Sequence, residues 1–598
     1  MSLINAVIPV KKTWSLINNI IRPNSSQRNI SEIKTNDGII TESKSIAEAF
    51  NNYFVSIGKD ISDSIPSSGD HLKFMRGNIN SSFFIQPTDA QEVFSMISNL
   101  EPKSCNSVND IPVRVLKRVN YVICHPLSTI INQSYSVGIF PEMLKVAKVI
   151  PIPKQGDLSL TQNYRPISLL NTFSKIFEKL MYKRLYAYLE KNEILYKKQY
   201  GFRSKKSTSD ALISNTIEFY KALDKGNIIF SMFLDFRKAF DCVDPQILIS
   251  KLRYYGVRGI ATKWFESFIC GRKQFTFLND QVSSIKPIFC GVPQGSTLGP
   301  LLFLIFINDL PNSSNLFDFT LFADDCTLTS SFKAIPSTYS SVATNINSEL
   351  ITLNEWFNQN KISVNYSKTK YIIFTYGKKV NFPSIHINQQ IIHQTESIRF
   401  LGVFFDEKLN FREHLNYISG KISKWIGILY KIRDHLPTEV LLKLYKSFID
   451  PYLRYGLEVW FGGFQYLEDS ILILQKKALR CIYKLPYNEH TSYYFKISRT
   501  LKISDLFNLS ISIIMFKMLH CGMYNELRSD ILKHSDIHSH CTRNRNNFVL
   551  PFYTKTRSQK SMLYLGVKIL NKNFNLLVES SSLYICKKSL CNMFFYGY

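Results

Sequence analysis

The sequence predicts an α+β fold, with a central region of mixed strands and helices and helical extensions at both ends. Three observations carry that expectation. The chain has 598 residues, 45% hydrophobic and 14% aromatic; this is too apolar for a disordered protein and too long for one core, so two to four domains are expected. From about 140 to 405, short apolar runs of strand length are punctuated by turn-rich segments. Outside that span, apolar residues recur at helical spacing.

Taken in order, residues 1–100 read as a helical extension. Ile46, Phe50, Phe54 and Ile57 form one packing face there, and the polar stretch Pro66-Ser-Ser-Gly-Asp70 breaks the extension in two. Val146 to Ile152 reads as a strand followed by the turn Lys154-Gln-Gly-Asp157. Ile228-Ile-Phe-Ser-Met-Phe-Leu234 is a second strand and ends on Asp235. Asp244-Pro245 is a helix start, with Asp as N-cap and Pro in the first turn. Leu321 to Leu328 reads as a hairpin with Asp324 and Asp325 at its bend. Ile418, Ile422, Trp425, Ile426 and Leu429 mark one later helix, and Val440, Leu441, Leu444, Tyr445 and Phe448 mark another.

The formal net charge is +27, an excess that calls for a polyanionic partner or an anionic membrane surface. Nucleic acid fits better, because the cations are interleaved with 32 Tyr and 44 Phe, and basic grooves with aromatic platforms bind nucleic-acid strands. The most apolar run, Pro300 to Ile307, is less than half of the ~20 residues a spanning helix needs, so no membrane partner is expected. The first residues lack the basic region and cleavage site of a secretion signal. The 11 cysteines are scattered without a Cys-x-x-Cys pair, which suits a reducing intracellular compartment, nucleus or cytoplasm, rather than secretion. His534, His538, His540 and Cys541 match no zinc spacing and read as a polar loop. Nothing points to an organic cofactor.

The chemistry resides in acids. Joining a nucleotide to a primer end uses two divalent ions about 3.5–4 Å apart. Magnesium accepts a few carboxylates and keeps several waters. Asp235 at a strand end, with Asp324 and Asp325 at a hairpin bend, supplies such a set if the two strands are neighbours. Each acid alone is equally well explained as a turn residue. Asp241 and Asp244 look like further carboxylates, but Asp244 is better explained as a helix cap.

The order of segments adds more. Phe233-Leu-Asp-Phe-Arg-Lys-Ala-Phe-Asp241, Gly291-Val-Pro-Gln-Gly-Ser-Thr-Leu-Gly-Pro-Leu-Leu-Phe303, Phe306-Ile-Asn-Asp-Leu310 and Phe322-Ala-Asp-Asp-Cys326 occur in series. They are preceded by Val149-Ile-Pro-Ile-Pro-Lys154, Asn163-Tyr-Arg-Pro-Ile-Ser-Leu169 and Gln199-Tyr-Gly-Phe-Arg203. They are followed by Lys368-Thr-Lys370 and Phe400-Leu-Gly-Val403. This series resembles the reverse transcriptases of non-LTR (LINE-type, jockey-like) retrotransposons over about 140 to 405, with weaker likeness to Arg480.

The resemblance implies a right-hand polymerase with an antiparallel palm sheet. Its expected divisions are an N-terminal extension (1–100), fingers (101–225), palm (226–405, within a reverse transcriptase domain of about 134–405), a helical thumb (406–490) and a basic, aromatic extension (491–598). It implies an RNA-directed DNA polymerase with two Mg2+ ions, an RNA template, a DNA primer or target, and dNTPs. Asp235, Asp324 and the carbonyl of Phe236 would bind the metals, with Asp325 in support. Lys154 and Arg165 would hold the triphosphate. Gln294 and Gly295 would line the nucleotide and template pocket, with glycines 291, 295 and 299 letting backbone approach the substrate. Phe240 would lie under the sugar and exclude a 2′-hydroxyl, although it also reads as core. Lys368 would protonate the leaving pyrophosphate, although it reads equally as a solvated lysine, and Leu401 and Gly402 would form the primer grip.

Relatives of this kind carry an endonuclease ahead of the polymerase, for which the residues before the motifs leave no room, so a nuclease supplied elsewhere or a decayed element is expected. Arg543, Arg545, Lys555 and Arg557 read as nucleic-acid contacts or as a solvated face. Two rival readings are an RNA-dependent RNA polymerase, opposed by Phe240, and a catalytically dead, element-derived nucleic-acid-binding protein, opposed by the intact acid set.

Overall fold

A computed structural model describes residues 30–598 except 36–37, 67–68, 78, 103–109, 155, 524–527, 529–530 and 538–544. The hairpin β1 (Ile33–Thr35) and β2 (Gly38–Ile40) precedes helix α1 (Ser43–Asp63). Strands β3 (Val146–Pro153) and β4 (Tyr164–Leu169) are followed by α2 (Thr172–Lys191), α3 (Thr208–Asp224) and β5 (Asn227–Leu234). Next come α4 (Pro245–Tyr254), β6 (Lys273–Leu278), β7 (Gln281–Val282), β8 (Lys286–Pro287) and α5 (Gly299–Ile307). Then β9 (Asp318–Phe322), β10 (Asp325–Lys333), α6 (Tyr339–Gln359), β11 (Lys370–Phe374), β12 (Ile385–Ile387) and β13 (Gln390–Gln394) lead to the hairpin β14 (Ser397–Phe400) and β15 (Val403–Asp406). Helices including α7 (Arg412–Ile432), α8 (Gln465–Tyr483) and α9 (Ile503–His520) complete the chain.

A six-stranded sheet in the order β12-β13-β11-β5-β10-β9 is the frame. Its pairs are antiparallel except β11–β13, which is parallel, so the antiparallel sheet expected from sequence is mixed at one edge. Both faces of β5 are covered, and strand periodicity assigns its side chains to two cores. Ile228, Phe230, Met232 and Leu234 join the core that contains α4 and α5. Ile229 joins the other, with Ile372, Phe374 and the helices beyond 412. Helix α5 is apolar all round and every residue but Pro300 is buried, as expected of a helix through the middle of a core. Each such Leu, Ile or Phe contributes roughly 1.5–3 kcal/mol.

Beside α5 lies a closed polar unit. Lys251 and Asp309 are both fully buried and paired at 2.5 Å. The ammonium also donates to the Phe306 carbonyl at 2.7 Å, and the Trp356 indole N–H donates to Asp309 at 3.1 Å.

Three expectations need correction. The first 100 residues are not a purely helical extension, because their described part opens with the β1–β2 hairpin. Nor do they stand apart: Ile46, Phe50 and Phe54 of α1 share a core with Val149 and Tyr164 of β3 and β4, since the apolar stripe of a helix must be covered. Second, β6 falls in the 226–405 segment yet pairs with β3 in a separate sheet, β4-β3-β6-β7. Third, no core boundary falls at 490, because α7, α8, α9 and the helix Met562–Lys572 bury their apolar faces in one cluster. Helix α9 is long and apolar enough by composition to cross a membrane; here most of it is buried in that cluster. All nine described cysteines are free.

His414 on α7 is 2% exposed, its ring 5.3 Å from that of Trp460. Burial, then Arg399, lower its pKa from 6.5 to about 4. Below pH 6.5 the unfolded chain takes up a proton that the folded chain refuses, so this histidine removes stability as pH falls from about 6.5 to about 4, at up to about 1.4 kcal/mol per pH unit. Urea midpoints measured at pH 7.5 and 5 should therefore draw closer together in His414→Gln than in the unsubstituted chain.

Candidate active site

The three acids come together through strand register. In the antiparallel pair β5–β10 the last rung sets Leu234 opposite Cys326, so the chain leaves β5 at Asp235 next to the β9–β10 bend, on strands about 4.8 Å apart. Asp324 occupies the β9–β10 bend, after Ala323 in a left-handed conformation (φ 55°). That bend is braced from outside the sheet. Tyr200 N–H donates to the Leu321 carbonyl at 2.8 Å, and Ala323 N–H donates to Gln199 Oε1 at 3.0 Å.

Asp235 is held from a different segment. Its carboxylate Oδ2 accepts the Asn365 side-chain amide at 2.9 Å and lies 3.9 Å from the Lys368 ammonium. Its carbonyl accepts Asn365 N–H at 2.7 Å, while Arg237 N–H donates to the Ser363 carbonyl at 2.9 Å. Neither bond uses the Phe236 carbonyl.

A cleft of about 570 Å³ opens beside these groups, of the size that suits one small-molecule ligand. Asp235, Phe236, Phe240, Asp324 and Lys368 line it together with Lys154, Arg165 and Gln294. Lys154 follows β3, and Arg165 stands on β4 opposite Ile152. Phe240 has two roles: it lines the cleft and its ring stacks on Phe303 of α5, with centroids 4.4 Å apart. Gln294 donates to the half-buried Asp241 at 2.8 Å, and desolvation raises the pKa of the Asp241 carboxyl. Asp241 therefore braces Gln294. Asp244 caps α4 by accepting Gln246 N–H at 2.8 Å, and it also pairs with Lys361 at 2.7 Å.

Electrostatics divides the cleft into an acidic end and a basic end. Burial, then Asp235, raises the Asp324 pKa, which Arg165 and Lys154 partly offset. Asp325 is exposed, yet the packed surroundings and then Asp324 and Asp235 raise its pKa to about 6. Carboxylates that repel each other at one point are stabilised by a cation between them. The donor set therefore fits a hard divalent ion, with water and phosphate oxygens completing its shell. Among the described residues no group of three or more His, Cys, Asp or Glu is placed to hold a metal ion, so the protein's share of such a shell is two carboxylates, Asp235 and Asp324. At the other end, burial and then Arg165 lower the Lys154 pKa, and burial and then Lys154 lower that of Lys238. Cations that depress one another in this way favour an incoming anion.

Residues 152–405 match the family model described as reverse transcriptase (RNA-dependent DNA polymerase). The segment 152–405 is a reverse transcriptase domain. The RNA-directed DNA polymerase from mobile element jockey of Drosophila melanogaster is 28% identical over 429 residues, 70% of this chain and 46% of that protein. Its counterpart from Drosophila funebris is 30% identical over 421 residues, 68% of this chain and 45% of the relative. The probable RNA-directed DNA polymerase from transposon BS of Drosophila melanogaster is 29% identical over 422 residues, 67% and 45% of the two chains. The chain thus spans a little under half the length of these relatives. Reverse transcriptases use divalent metal ions.

Within the reverse transcriptase domain, four expected site residues lie off the cleft. Asp325 does not line the cleft; it opens β10, one residue past the bend that carries Asp324. Gly295 does not line it either. At φ 133° its Cα lies against β4, and an added Cβ would sit 2.3 Å from the Ser168 carbonyl oxygen. This glycine admits the protein's own backbone rather than a substrate. Leu401 and Gly402 form the β14–β15 turn, fastened by the Tyr455 hydroxyl donating to the Leu401 carbonyl at 2.5 Å, and they do not line the cleft.

Beyond the domain, Lys555 donates to the Leu223 carbonyl at 2.7 Å and both Lys555 and Arg557 lie over the Tyr376 ring. These cations fasten the C-terminal segment to the end of α3, where a helix attracts positive charge. Arg543, His538, His540 and Cys541 lie outside the described residues.

Sequence reasoning missed Gln199, Asn365, Lys238 and Tyr53. Gln199 sits in a motif that was recognised without its role. Asn365 stands three residues before the recognised Lys368, and no periodicity marks it. Glu178 of α2 was also missed. Buried, it accepts Thr297 N–H at 2.7 Å and Leu298 N–H at 3.2 Å, which satisfies amides at the start of α5 that have no partner within the helix.

Proposed function

We propose that the chain is an RNA-directed DNA polymerase of a non-LTR, LINE-type retrotransposon. It adds deoxynucleotides to a primer 3′-hydroxyl on an RNA template and releases pyrophosphate. The observation that carries this reading is the meeting of Asp235 and Asp324 in one cleft with Lys154, Arg165, Phe240 and Gln294. The six-stranded sheet is then the palm, the β3–β4 sheet with α2 belongs to the fingers, and the helices from α7 onward form the thumb.

Two Mg2+ ions would be held by Asp235, Asp324 and the Phe236 carbonyl, with Asp325 supporting. When bound, they lower the pKa of the attacking hydroxyl and neutralise the leaving group. Lys154 and Arg165 hold the triphosphate, Gln294 faces the nucleotide, and Lys368 gives a proton to the departing pyrophosphate. The β14–β15 turn at Leu401 and Gly402 grips the primer, which in an element of this type is a nicked target DNA. Phe240 blocks a 2′-hydroxyl, and Phe303 behind it keeps its ring from yielding.

The test is magnesium-dependent incorporation on a primed RNA template, comparing dNTPs with NTPs. Strong preference for dNTPs is expected. Phe240→Val should lower that preference roughly 10- to 100-fold, the scale of a steric filter in an apolar pocket. Preference for NTPs in the unsubstituted chain would establish the RNA polymerase reading instead, and no incorporation at all would favour a binding protein.

A further inference from the structure

We propose that Lys238 is a third phosphate ligand of the nucleotide cleft, held there by Tyr53, so that α1, which precedes the matched domain, is part of the nucleotide site. This rests on the polymerase reading above. The cleft has three walls. One is the palm segment with Asp235 and Asp324, one is the β3–β4 segment with Lys154 and Arg165, and the third is α1 with Tyr53, Ile57 and Ile61.

Lys238 sits where these walls meet. Its ammonium lies 5.4 Å from the Tyr53 ring centroid and donates to the Tyr164 carbonyl at 3.5 Å. A cation over an aromatic face is attracted to it. The Lys238 backbone is left-handed, at φ 49°, an arrangement that costs free energy in a residue with a side chain and concentrates at functional sites. Here it is fixed by its carbonyl, which accepts Asp241 N–H at 2.8 Å and Cys242 N–H at 3.1 Å.

Helix α1 is docked tightly enough to position Tyr53. Asn51 donates to the Ser284 carbonyl at 2.8 Å, Glu48 accepts from Ser284, and Phe50 meets Tyr164 edge-on at 4.7 Å. At Gly58 the helix touches the loop that carries Lys238: an added Cβ would stand 2.0 Å from the Asp241 carbonyl oxygen.

The charge balance identifies the ligand class. Lys154, Arg165, Arg237, Lys238 and Lys368 line the cleft against Asp235, Asp241 and Asp324. Asp235 and Asp324 are committed to metal on that reading, and the half-buried Asp241 accepts a hydrogen bond from Gln294. Among the described residues no ion pair joins Lys154, Arg165 or Lys238 to a carboxylate. Three such cations from separate elements suit a compact polyphosphate. A template backbone would instead need a track of cations running across the surface.

The experiment uses the full chain with magnesium on a primed RNA template, following single dTTP addition. Lys238→Gln should raise KM for dTTP about 10- to 100-fold and weaken pyrophosphate inhibition in parallel, leaving primer–template affinity within about twofold, as loss of a charged phosphate contact requires. Tyr53→Ala should reproduce most of the KM change, Tyr53→Phe should restore it, and the double variant Lys238→Gln/Tyr53→Ala should be no worse than Lys238→Gln. Unchanged KM in Lys238→Gln overturns the proposal, as does a loss confined to primer–template affinity or to kcat and thermal stability. An unsubstituted chain that adds no dTTP overturns the polymerase reading itself.

Discussion

Asp324→Asn should lower nucleotide incorporation by at least about 10³-fold while leaving RNA affinity within about twofold of the unsubstituted chain. The substitution keeps the shape of the side chain at the β9–β10 bend but removes its charge, so, on the proposed reading, the side chain that faces both Asp235 and the cleft no longer supports a divalent ion. Removing one preorganised electrostatic partner at a reacting centre typically costs two to three powers of ten, and a direct metal ligand sits at the upper end. Binding to RNA should survive because it depends on Lys and Arg contacts to phosphate spread over the surface. Single-nucleotide extension and filter binding on the same preparations separate the two. Equal extension by both proteins would remove Asp324 from the chemistry.

The second large effect is on stability. Lys251→Ala should destabilise the chain by about 3–5 kcal/mol, because it leaves Asp309 charged, buried and without its cation. The pair is inaccessible to solvent on both sides, so water cannot replace the lost partner. Lys251→Met/Asp309→Leu should recover much of the loss, since an apolar pair of similar volume removes both desolvation costs. Recovery should stop short of complete, because the Trp356 indole N–H would then lose its acceptor. The checking measurement is the urea midpoint of the tryptophan fluorescence transition. A single variant as stable as the unsubstituted chain would show that the pair contributes nothing.

Asp309 also illustrates how far the sequence could be read. The segment Phe306-Ile-Asn-Asp-Leu310 was recognisable by its place after the Gly291–Phe303 motif, but nothing in it named Lys251 as partner, 58 residues away. Local signals fared better. The strand ending on Asp235, the hairpin bearing Asp324, the Asp244 cap and the helices beyond 412 were all legible, because each depends on periodicity or capping within a dozen residues. The glycine at 295 was recognised as special but for a different reason, since only the folded chain brings the Ser168 carbonyl against it. The cations at 555 and 557 looked like nucleic-acid contacts because composition cannot distinguish a surface lysine from one fastened to a helix end.

By itself, then, the sequence determined the local elements, the series of motifs and the acids that mark the domain. The tertiary structure alone decided which acids line the cleft, that Asn365 and Gln199 steady Asp235 and the bend at Asp324, and that α1 closes one wall. The physical reason is one of range. Helical and strand periodicity and caps are written in near neighbours, whereas the β5–β10 register, the packing of Gly58 on the Asp241 carbonyl and the Lys251–Asp309 pair join residues distant in the chain. Such contacts exist only once the two cores have closed around the central sheet.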